Sequence, residues 1–258
     1  MQGKIMEYVT SSITKIHKIP IFPLGMINAF LLVNEQGCIL VDTGLPDTEN
    51  KVEKMLRQQH LNFTDIKLIV ITHAHIDHAG NAAKIKTLSG APVVAHRGDL
   101  PYFKGEKKMH FCSTGWFGTF FSKIGLIQKP YVSFEPDILL SKDEQLDLRQ
   151  YGFDGDVIPT PGHTEGSVSV LMDNKNAIVG DLISSGILLG GIIRTNIPKR
   201  PPFEDDPEQV SKELESMVNK GMNTFFMGHG GPLQQKEVVQ HIENLEMSIC
   251  KKKPQNQV

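Results

Sequence analysis

The sequence has few cysteines and no excess of basic charge. Its three cysteines, Cys38, Cys112 and Cys250, are odd in number and match neither a CxxC pair nor a zinc-knuckle spacing. This argues against a disulfide framework and favours a reducing, cytoplasmic setting. The 258 residues carry a net charge of -2, so the chain lacks the basic excess that would neutralise the phosphates of a nucleic acid. We therefore expect no nucleic-acid partner.

Long hydrophobic runs are also lacking. No stretch approaches the roughly 20 apolar residues of a transmembrane helix, and the first residues have neither the apolar core nor the cleavage site of a secretory signal. We therefore expect neither a membrane partner nor export. The hydrophobic fraction of 40% and the charged fraction of 22% are ordinary for a globular protein.

Short β-branched runs alternate with helical patterns along the chain. The runs predict strands at 28–34, 37–44, 67–72, 91–95, 156–160, 167–173, 177–180 and 224–227. Apolar residues at helical spacing predict helices at 47–60, 81–88, 207–220 and 233–249. Both halves run from strands to helices without a Pro, Gly or Ser-rich linker. We therefore expect one α/β (α+β) domain over residues 1–258, with helices on the outer faces of its sheets. His60 and His241 lie in predicted helices and should face solvent.

Three histidines and an aspartate follow the strand run Lys67–Thr72 within six residues: His73, His75, Asp77 and His78. Imidazole and carboxylate ligands suit Zn²⁺ and similar divalent ions. In an extended segment His73 and His75 project to the same side. The other two residues follow where a helix begins, so they can point at a second location. Two neighbouring metals would use these four side chains more readily than one.

Three later residues have a similar setting. His163, Asp181 and His229 each come just past the end of a predicted strand and beside a glycine, where the backbone can approach closely. Rigid strands that carry ligands on their following loops are a suitable scaffold for a metal site. The seven residues together predict a metal centre along one edge of the sheets.

These positions resemble the metallo-β-lactamase superfamily. Its HxHxDH motif is matched from His73 to His78, and its later single His, Asp and His are matched as well. Asp42, in the segment LVDTG, resembles the family's early strand-end aspartate, which is structural and not a ligand. The resemblance covers about 28–232 and implies a four-layer αββα sandwich with two metals at one edge. It implies that His73, His75 and His163 hold one metal, that Asp77, His78 and His229 hold the other, and that Asp181 bridges them.

The ligand set predicts a hydrolase. Two divalent ions, most readily Zn with Mn or Fe as alternatives, can share a water and hold it as hydroxide at neutral pH. That hydroxide would attack an ester, lactone, thioester or similar bond in a small molecule, with Asp77 orienting it or shuttling its proton. Because no side-chain nucleophile is required, Ser184, Ser185 and Cys112 are interpreted as ordinary polar or packing residues.

Two segments are candidates for substrate recognition. Most aromatic residues fall in an apparent insertion at about 97–137, where Phe111, Trp116, Phe117 and Phe120 could wall a pocket, form a homodimer contact or pack a small core of their own. The second segment, 190–202, is rich in Pro and Gly. There Arg194 or Lys199 would meet an anionic substrate group, unless the loop is simply solvated.

Known subfamilies provide alternatives for the substrate. Lactonases of acyl homoserine lactones share the seven ligands, but they carry a Tyr shortly after the bridging Asp, where this chain has Leu182-Ile183-Ser184-Ser185. Hydroxyacylglutathione hydrolases (glyoxalase II) match at the metal motifs but add a C-terminal helical region, whereas only a short segment follows His229. A different class with the same fold, the iron-bound redox proteins and dioxygenases, is a further alternative.

Overall fold

The computed structural model describes residues 13–123, 129–187, 190 and 193–252. The first sheet has six strands in the order β1 to β6, with β1 to β3 antiparallel and β3 to β6 parallel. Its strands are β1 (Lys15–Phe22), β2 (Ile27–Asn34), β3 (Gly37–Val41), β4 (Ile66–Val70), β5 (Val93–His96) and β6 (Ile138–Leu140).

The second sheet comes from the second half of the chain and also has six strands. The strands in this half are β7 (Leu146–Asp147), β8 (Gly155–Pro159), β9 (Val168–Met172), β10 (Asn176–Ile178), β11 (Ser184–Ser185), β12 (Pro198–Lys199), β13 (Thr224–Phe226) and β14 (Leu233–Gln234). The sheet order is β14-β13-β10-β9-β8-β7, and β11 and β12 form a separate two-stranded ribbon.

Helices cover the outer faces of both sheets. The helices are α1 (Glu49–Gln58), α2 (Ile76–Ala79), α3 (Ala82–Ser89), α4 (Leu100–Phe103), α5 (Trp116–Ser122), α6 (Pro207–Asn219) and α7 (Gln235–Lys252). None of them is long and apolar enough to cross a membrane, as far as the described residues extend.

Three apolar cores hold these layers together. Successive side chains of β2 point alternately into two of these cores. Leu31 packs with α1 and α3 on one face of the sheet, whereas Phe30 and Leu32 pack against the second sheet on the other face. The third core lies between the second sheet and helices α6 and α7, and it contains Phe225 and Leu214. The predicted four-layer αββα sandwich is therefore confirmed.

Most predicted elements lie within a few residues of their observed bounds. Strand β3 ends earlier than predicted because Asp42 has a φ of +62°, which turns the chain out of the sheet. Strand β1 was not predicted, although buried Ile19 and Ile21 alternate with exposed Pro20 and Phe22 there. The predicted start of the last helix at Leu233 is a short strand instead.

The prediction for His241 is wrong. Its side chain is only 4% exposed, because α7 is covered by α6 on one side and by β12 on another. His60 is exposed as predicted, but it lies just beyond the end of α1, with a φ of +59°.

Candidate metal centre

The seven predicted ligands come together at one edge of the two sheets. His73 follows β4, and Asp77 and His78 lie in the short helix α2. His163, Asp181 and His229 follow β8, β10 and β13 of the facing sheet. All of them except Asp77 are buried. Because the strands of both sheets end at this edge, ligands that are far apart in sequence meet in space.

The first group consists of His73, His75, His163 and Asp181, whose ligand atoms lie within 4.8 Å of one another. His73 Nε2 lies 3.0 Å from His75 Nδ1 and 3.2 Å from His163 Nε2. His163 Nε2 is also 3.1 Å from His75 Nδ1. Ligands about 2.0–2.1 Å from a tetrahedral zinc would be roughly 3.3 Å apart, so this nitrogen triangle is close to the size that a divalent ion requires.

The second group consists of Asp77, His78 and His229. Asp77 Oδ2 lies 3.3 Å from His229 Nε2 and 3.9 Å from His78 Nε2. The Asp77 side chain is 21% exposed, whereas that of His78 is fully buried. Asp77 is therefore the ligand of this group that reaches solvent.

The carboxylate of Asp181 lies between the two groups. Its Oδ2 is 3.8 Å from His163 Nε2 in the first group and 3.0 Å from His229 Nε2 in the second. Its Oδ1 is 3.5 Å from His78 Nε2. Oδ2 is therefore close to ligand atoms of both groups, so the Asp181 carboxylate could serve either of two neighbouring cations.

Supporting side chains fix the orientation of the second group. Asp42 Oδ2 is 2.8 Å from His78 Nδ1, which turns His78 Nε2 toward the other ligands. Asp42 Oδ1 also accepts a 2.8 Å hydrogen bond from the backbone N–H of Thr72, just before the first ligand. His229 Nδ1 contacts the carbonyl oxygen of Met26. The structure thus gives Asp42 the supporting place that the resemblance implies.

Asp99 connects two ligand loops and was not singled out by the sequence. Its buried carboxylate accepts hydrogen bonds from Ala74 N at 2.8 Å, Thr164 Oγ1 at 3.0 Å and Gly166 N at 3.0 Å. These donors flank His73, His75 and His163. Burial raises the pKa of Asp99 to about 6. Tyr131 also supports the first loop, because its hydroxyl donates to Ala74 O at 3.0 Å.

Asn28 holds the loop of the last ligand against the start of β2. Its side-chain amide donates to the carbonyls of Gly25 and Gly228 at 3.1 Å each, and to that of Gly230 at 3.3 Å. A Cβ at Gly228 would lie 2.4 Å from Asp181 Oδ1, so this close approach requires glycine. The run NAFLLVN shows a strand, but it gives no signal for this contact.

The histidines of the first group remain neutral at neutral pH. Burial lowers the pKa of His75 to about 3 and that of His163 to about 4, and burial with three neighbouring histidines lowers the pKa of His73 well below its usual value. Neutral imidazoles keep their lone pairs for a metal.

The second group has the opposite electrostatic character. Although burial opposes the shift, the carboxylates of Asp181 and Asp77 raise the pKa of His229 to about 10. Against the same effect of burial, Asp181 and Asp42 raise the pKa of His78. The pKa values of Asp77 and Asp181 fall despite burial, because His78 and His229 are close to both. Here the carboxylates supply the negative charge that a second cation would need.

Unpartnered buried atoms at the centre fit a metal. Within the described part of the chain, His78 Nε2 and Asp181 Oδ1 form no hydrogen bond although both are buried. Buried polar atoms normally have a partner. Three imidazole nitrogens at mutual distances of 3.0–3.2 Å also leave lone pairs that cannot all be satisfied by hydrogen bonds among themselves. Cations bound at the two ligand groups would satisfy the lone pairs of the nitrogen triangle and those of His78 Nε2 and Asp181 Oδ1.

A cavity of about 420 Å³ opens beside His229. Trp116 lines it, together with Ile187 and Pro202. Phe111 lies at the other side of the centre, where its ring stacks on His75 with centroids 5.0 Å apart. Phe203, which the sequence analysis missed, packs on Phe111 at 4.8 Å. Two of the predicted pocket residues, Phe111 and Trp116, are therefore beside the centre.

Two other predicted pocket residues, Phe120 and Arg194, are not among the described residues that line the cavity. Phe120 is 61% exposed on α5, and Arg194 is exposed as well. The side chain of Phe117 lies outside the described residues. Phe103 and Phe134 of the same aromatic segment belong to the core of the first sheet, with rings 5.2 Å apart. This segment therefore contributes to the main core in one part and to the cavity wall in another.

Comparison with known proteins agrees with this arrangement. The family model described as the metallo-beta-lactamase superfamily matches residues 22–229. The chain is 26% identical over 212 residues to a probable metallo-hydrolase of Bacillus subtilis, YflN, and the match covers 77% of each chain. It is 30% identical over 207 residues to a probable metallo-hydrolase of Methanocaldococcus jannaschii, MJ0888, covering 79% of this chain and 87% of that one.

A solved structure shows the same fold. The metallo-beta-lactamase family protein TTHA1429 from Thermus thermophilus aligns with a TM-score of 0.65 at 21% identity. The alignment covers 92% of this chain and 79% of that one.

Proposed function

The chain belongs to the metallo-beta-lactamase superfamily, and from this premise we propose that it is a dinuclear metal-dependent hydrolase of small-molecule esters, lactones or thioesters. The observation that supports the proposal most strongly is the place of Asp181, whose Oδ2 lies 3.8 Å from His163 Nε2 in the first group and 3.0 Å from His229 Nε2 in the second. The relatives YflN and MJ0888 are themselves described as probable metallo-hydrolases.

In this proposal each group holds one divalent ion, zinc first and Mn or Fe as alternatives. Ions bound there would supply Lewis acidity, which would polarise a substrate carbonyl and would lower the pKa of an attacking water. His73, His75 and His163 contribute neutral nitrogen ligands. His78 and His229 contribute nitrogen ligands to the second group, and the carboxylates of Asp77 and Asp181 contribute the negative charge that balances the two cations.

Asp77 is the proposed acid–base residue. It is the ligand that is not buried, so it can exchange a proton with solvent while it remains beside His229. No side-chain nucleophile is needed. Ser184 Oγ donates to the carbonyls of Lys199 and Arg200, and Ser185 Oγ accepts from Gly231 N, so both hydroxyls are used in the scaffold.

A substrate panel with measured metal content tests the proposal. Lactones (including an acyl homoserine lactone), thioesters (including an acylglutathione), 4-nitrophenyl esters, phosphodiesters and β-lactams would be offered to protein loaded separately with Zn, Mn and Fe. We expect two metal ions per chain and turnover of at least one ester, lactone or thioester. A coloured iron centre without hydrolysis of any member of the panel would contradict the proposal and favour the redox or dioxygenase class.

We also propose a reducing, cytoplasmic setting, which the three unpaired cysteines support: Cys38 is buried, Cys112 is half-buried and Cys250 is exposed. The homodimer predicted from the aromatic segment stays a prediction. Light scattering coupled to size exclusion would test it.

A further inference from the structure

Lys199 occupies a place in the cavity that the proposed metal chemistry does not use. It is the last residue of β12, is half-buried, and lines the cavity that also contains His229. Trp116 and Ile187 form an apolar part of the same wall. The cavity thus combines an ammonium group, apolar surface and one of the candidate metal ligands.

The backbone of Lys199 is fixed relative to the metal centre. β12 pairs with β11, with Lys199 opposite Ser184, and Ser184 Oγ donates to Lys199 O at 3.2 Å. β11 follows Asp181 closely in the chain, and Ser185 N donates to His229 O at 3.1 Å. The ribbon is therefore joined to the elements that carry two of the ligands, and it fixes the backbone of Lys199 relative to them.

The charge of Lys199 has no counter-ion in the described part of the chain. Arg200, the other cation that lines the cavity, is already paired, with its Nε 2.6 Å from the buried carboxylate of Glu204. None of the described residues that line the cavity is acidic. Burial alone lowers the pKa of the Lys199 ammonium, so no nearby carboxylate stabilises its charged form. A partly desolvated ammonium without a partner is stabilised by an anionic ligand.

We propose that Lys199 binds a carboxylate group of the substrate, so that the hydrolase acts on carboxylate-bearing esters, lactones or thioesters whose apolar part lies against Trp116. A carboxylate fits better than a phosphate, because one point-like ammonium balances a single charge, whereas phosphates favour several donors or a planar guanidinium. The identity of this ligand as a substrate rests on the proposed function. Binding of a carboxylate at Lys199 does not require turnover.

The test uses Trp116 as a reporter, because it is the only tryptophan in the chain and lies in the cavity wall. Metal-loaded protein is titrated with 4-(4-nitrophenyl)butanoate and with its neutral analogue 4-(4-nitrophenyl)butanamide, whose nitrophenyl groups quench indole fluorescence. We expect the carboxylate to bind about tenfold tighter or more, as is typical of hydrogen bonds to charged groups. Lys199→Met should remove this preference, and Lys199→Arg should restore it.

Lys212→Met is the matched control, since it removes the same charge from an exposed position on α6; it should keep the preference. Metal content and thermal unfolding of all variants show that the fold is intact. Equal binding of the two probes, no binding of either, or a preference that persists in Lys199→Met would overturn the proposal. The last result would mean that the metals bind the carboxylate.

Hydrolysis of mono-4-nitrophenyl glutarate and 4-nitrophenyl butyrate, measured in parallel, separates the two proposals. A carboxylate preference in binding without hydrolysis of any ester would contradict the hydrolase and leave Lys199 as an anion site. Hydrolysis without a binding preference would contradict the role of Lys199 alone.

Discussion

The two sides of the cavity are built in different ways. On the metal side, seven side chains follow strand ends, six of them are buried, and several have a second hydrogen-bonding partner behind them. Elsewhere in the cavity wall, Trp116 is 82% exposed and comes from the short helix α5, and Ile187 is 45% exposed. In the proposed hydrolase, the buried ligands would determine the type of reaction, and the exposed residues of the wall would determine which substrate is bound.

The largest effect should come from removing a ligand. His75→Ala takes away one corner of the nitrogen triangle, and Asp181→Ala takes away the carboxylate between the groups. We expect both variants to lose bound metal and activity together, by more than about a hundredfold, since even supporting residues can cost 10–100-fold. Metal analysis and the turnover of the best panel substrate measure this. His60→Ala, at an exposed histidine, is the control, and full metal content in either ligand variant would show that our assignment is wrong.

A smaller effect should come from the residue behind a ligand. Asp42→Asn removes the charge that faces His78 Nδ1 at 2.8 Å. We expect metal affinity, measured by competition with a chelator, to fall by about 10–100-fold while thermal unfolding shows a folded protein. Asp143→Asn, at an exposed aspartate, should leave the affinity unchanged. An unchanged affinity in Asp42→Asn would mean that metal affinity depends on the ligands alone and not on the carboxylate behind His78.

The ligand positions could be predicted from the sequence because covalent spacing and strand ends determine them. His73 to His78 follow one β-branched run, and each later ligand follows its own predicted strand. Asn28, Tyr131 and Asp99 could not be predicted as supports, because each reaches a loop that is far away in sequence. In the segment 190–202 the sequence analysis named Arg194 and Lys199 as candidate contacts of an anionic group. Only the pairing of β12 with β11 places Lys199, and not Arg194, in the cavity wall.

Helix α7, which contains His241 and packs against β12, should make the stability of the protein sensitive to acid. Burial, with the positive charge of Arg200 adding to it, lowers the pKa of His241 to about 4, compared with about 6.5 in an unfolded chain. Between these values the unfolded chain binds more protons, so the free energy of unfolding falls as the pH falls from about 6.5 toward 4. We expect His241 to contribute about 2 kcal/mol to the loss between pH 7.5 and pH 5.

Urea unfolding at both pH values measures this contribution. In His241→Gln the difference between the two pH values should shrink by about 2 kcal/mol relative to the unsubstituted protein. His60→Gln, at an exposed histidine, should leave the difference unchanged. The same pH dependence in His241→Gln would indicate that other groups titrate in its place.

The smallest effect should come from replacing Trp116 in the cavity wall. Trp116→Ala removes apolar surface that lines the cavity. We expect the KM of an apolar substrate to rise about three- to tenfold, with kcat and metal content unchanged, because the ring contributes equally to ground-state and transition-state binding. Phe120→Ala, on the same helix but outside the cavity wall, is the control. A large fall in kcat or in metal content would show that the two sides are not independent.

The contact between His229 and Met26 has a consequence for biogenesis. The last ligand depends on the Met26 carbonyl and on the Asn28 amide, which lie about 200 positions earlier in the chain. During synthesis the motif from His73 to His78 leaves the ribosome long before His229 does. If two metals bind as proposed, the second position becomes complete only when this late loop docks on the early strand β2. Binding of the second ion would then show that the two halves of the newly made chain have packed against each other.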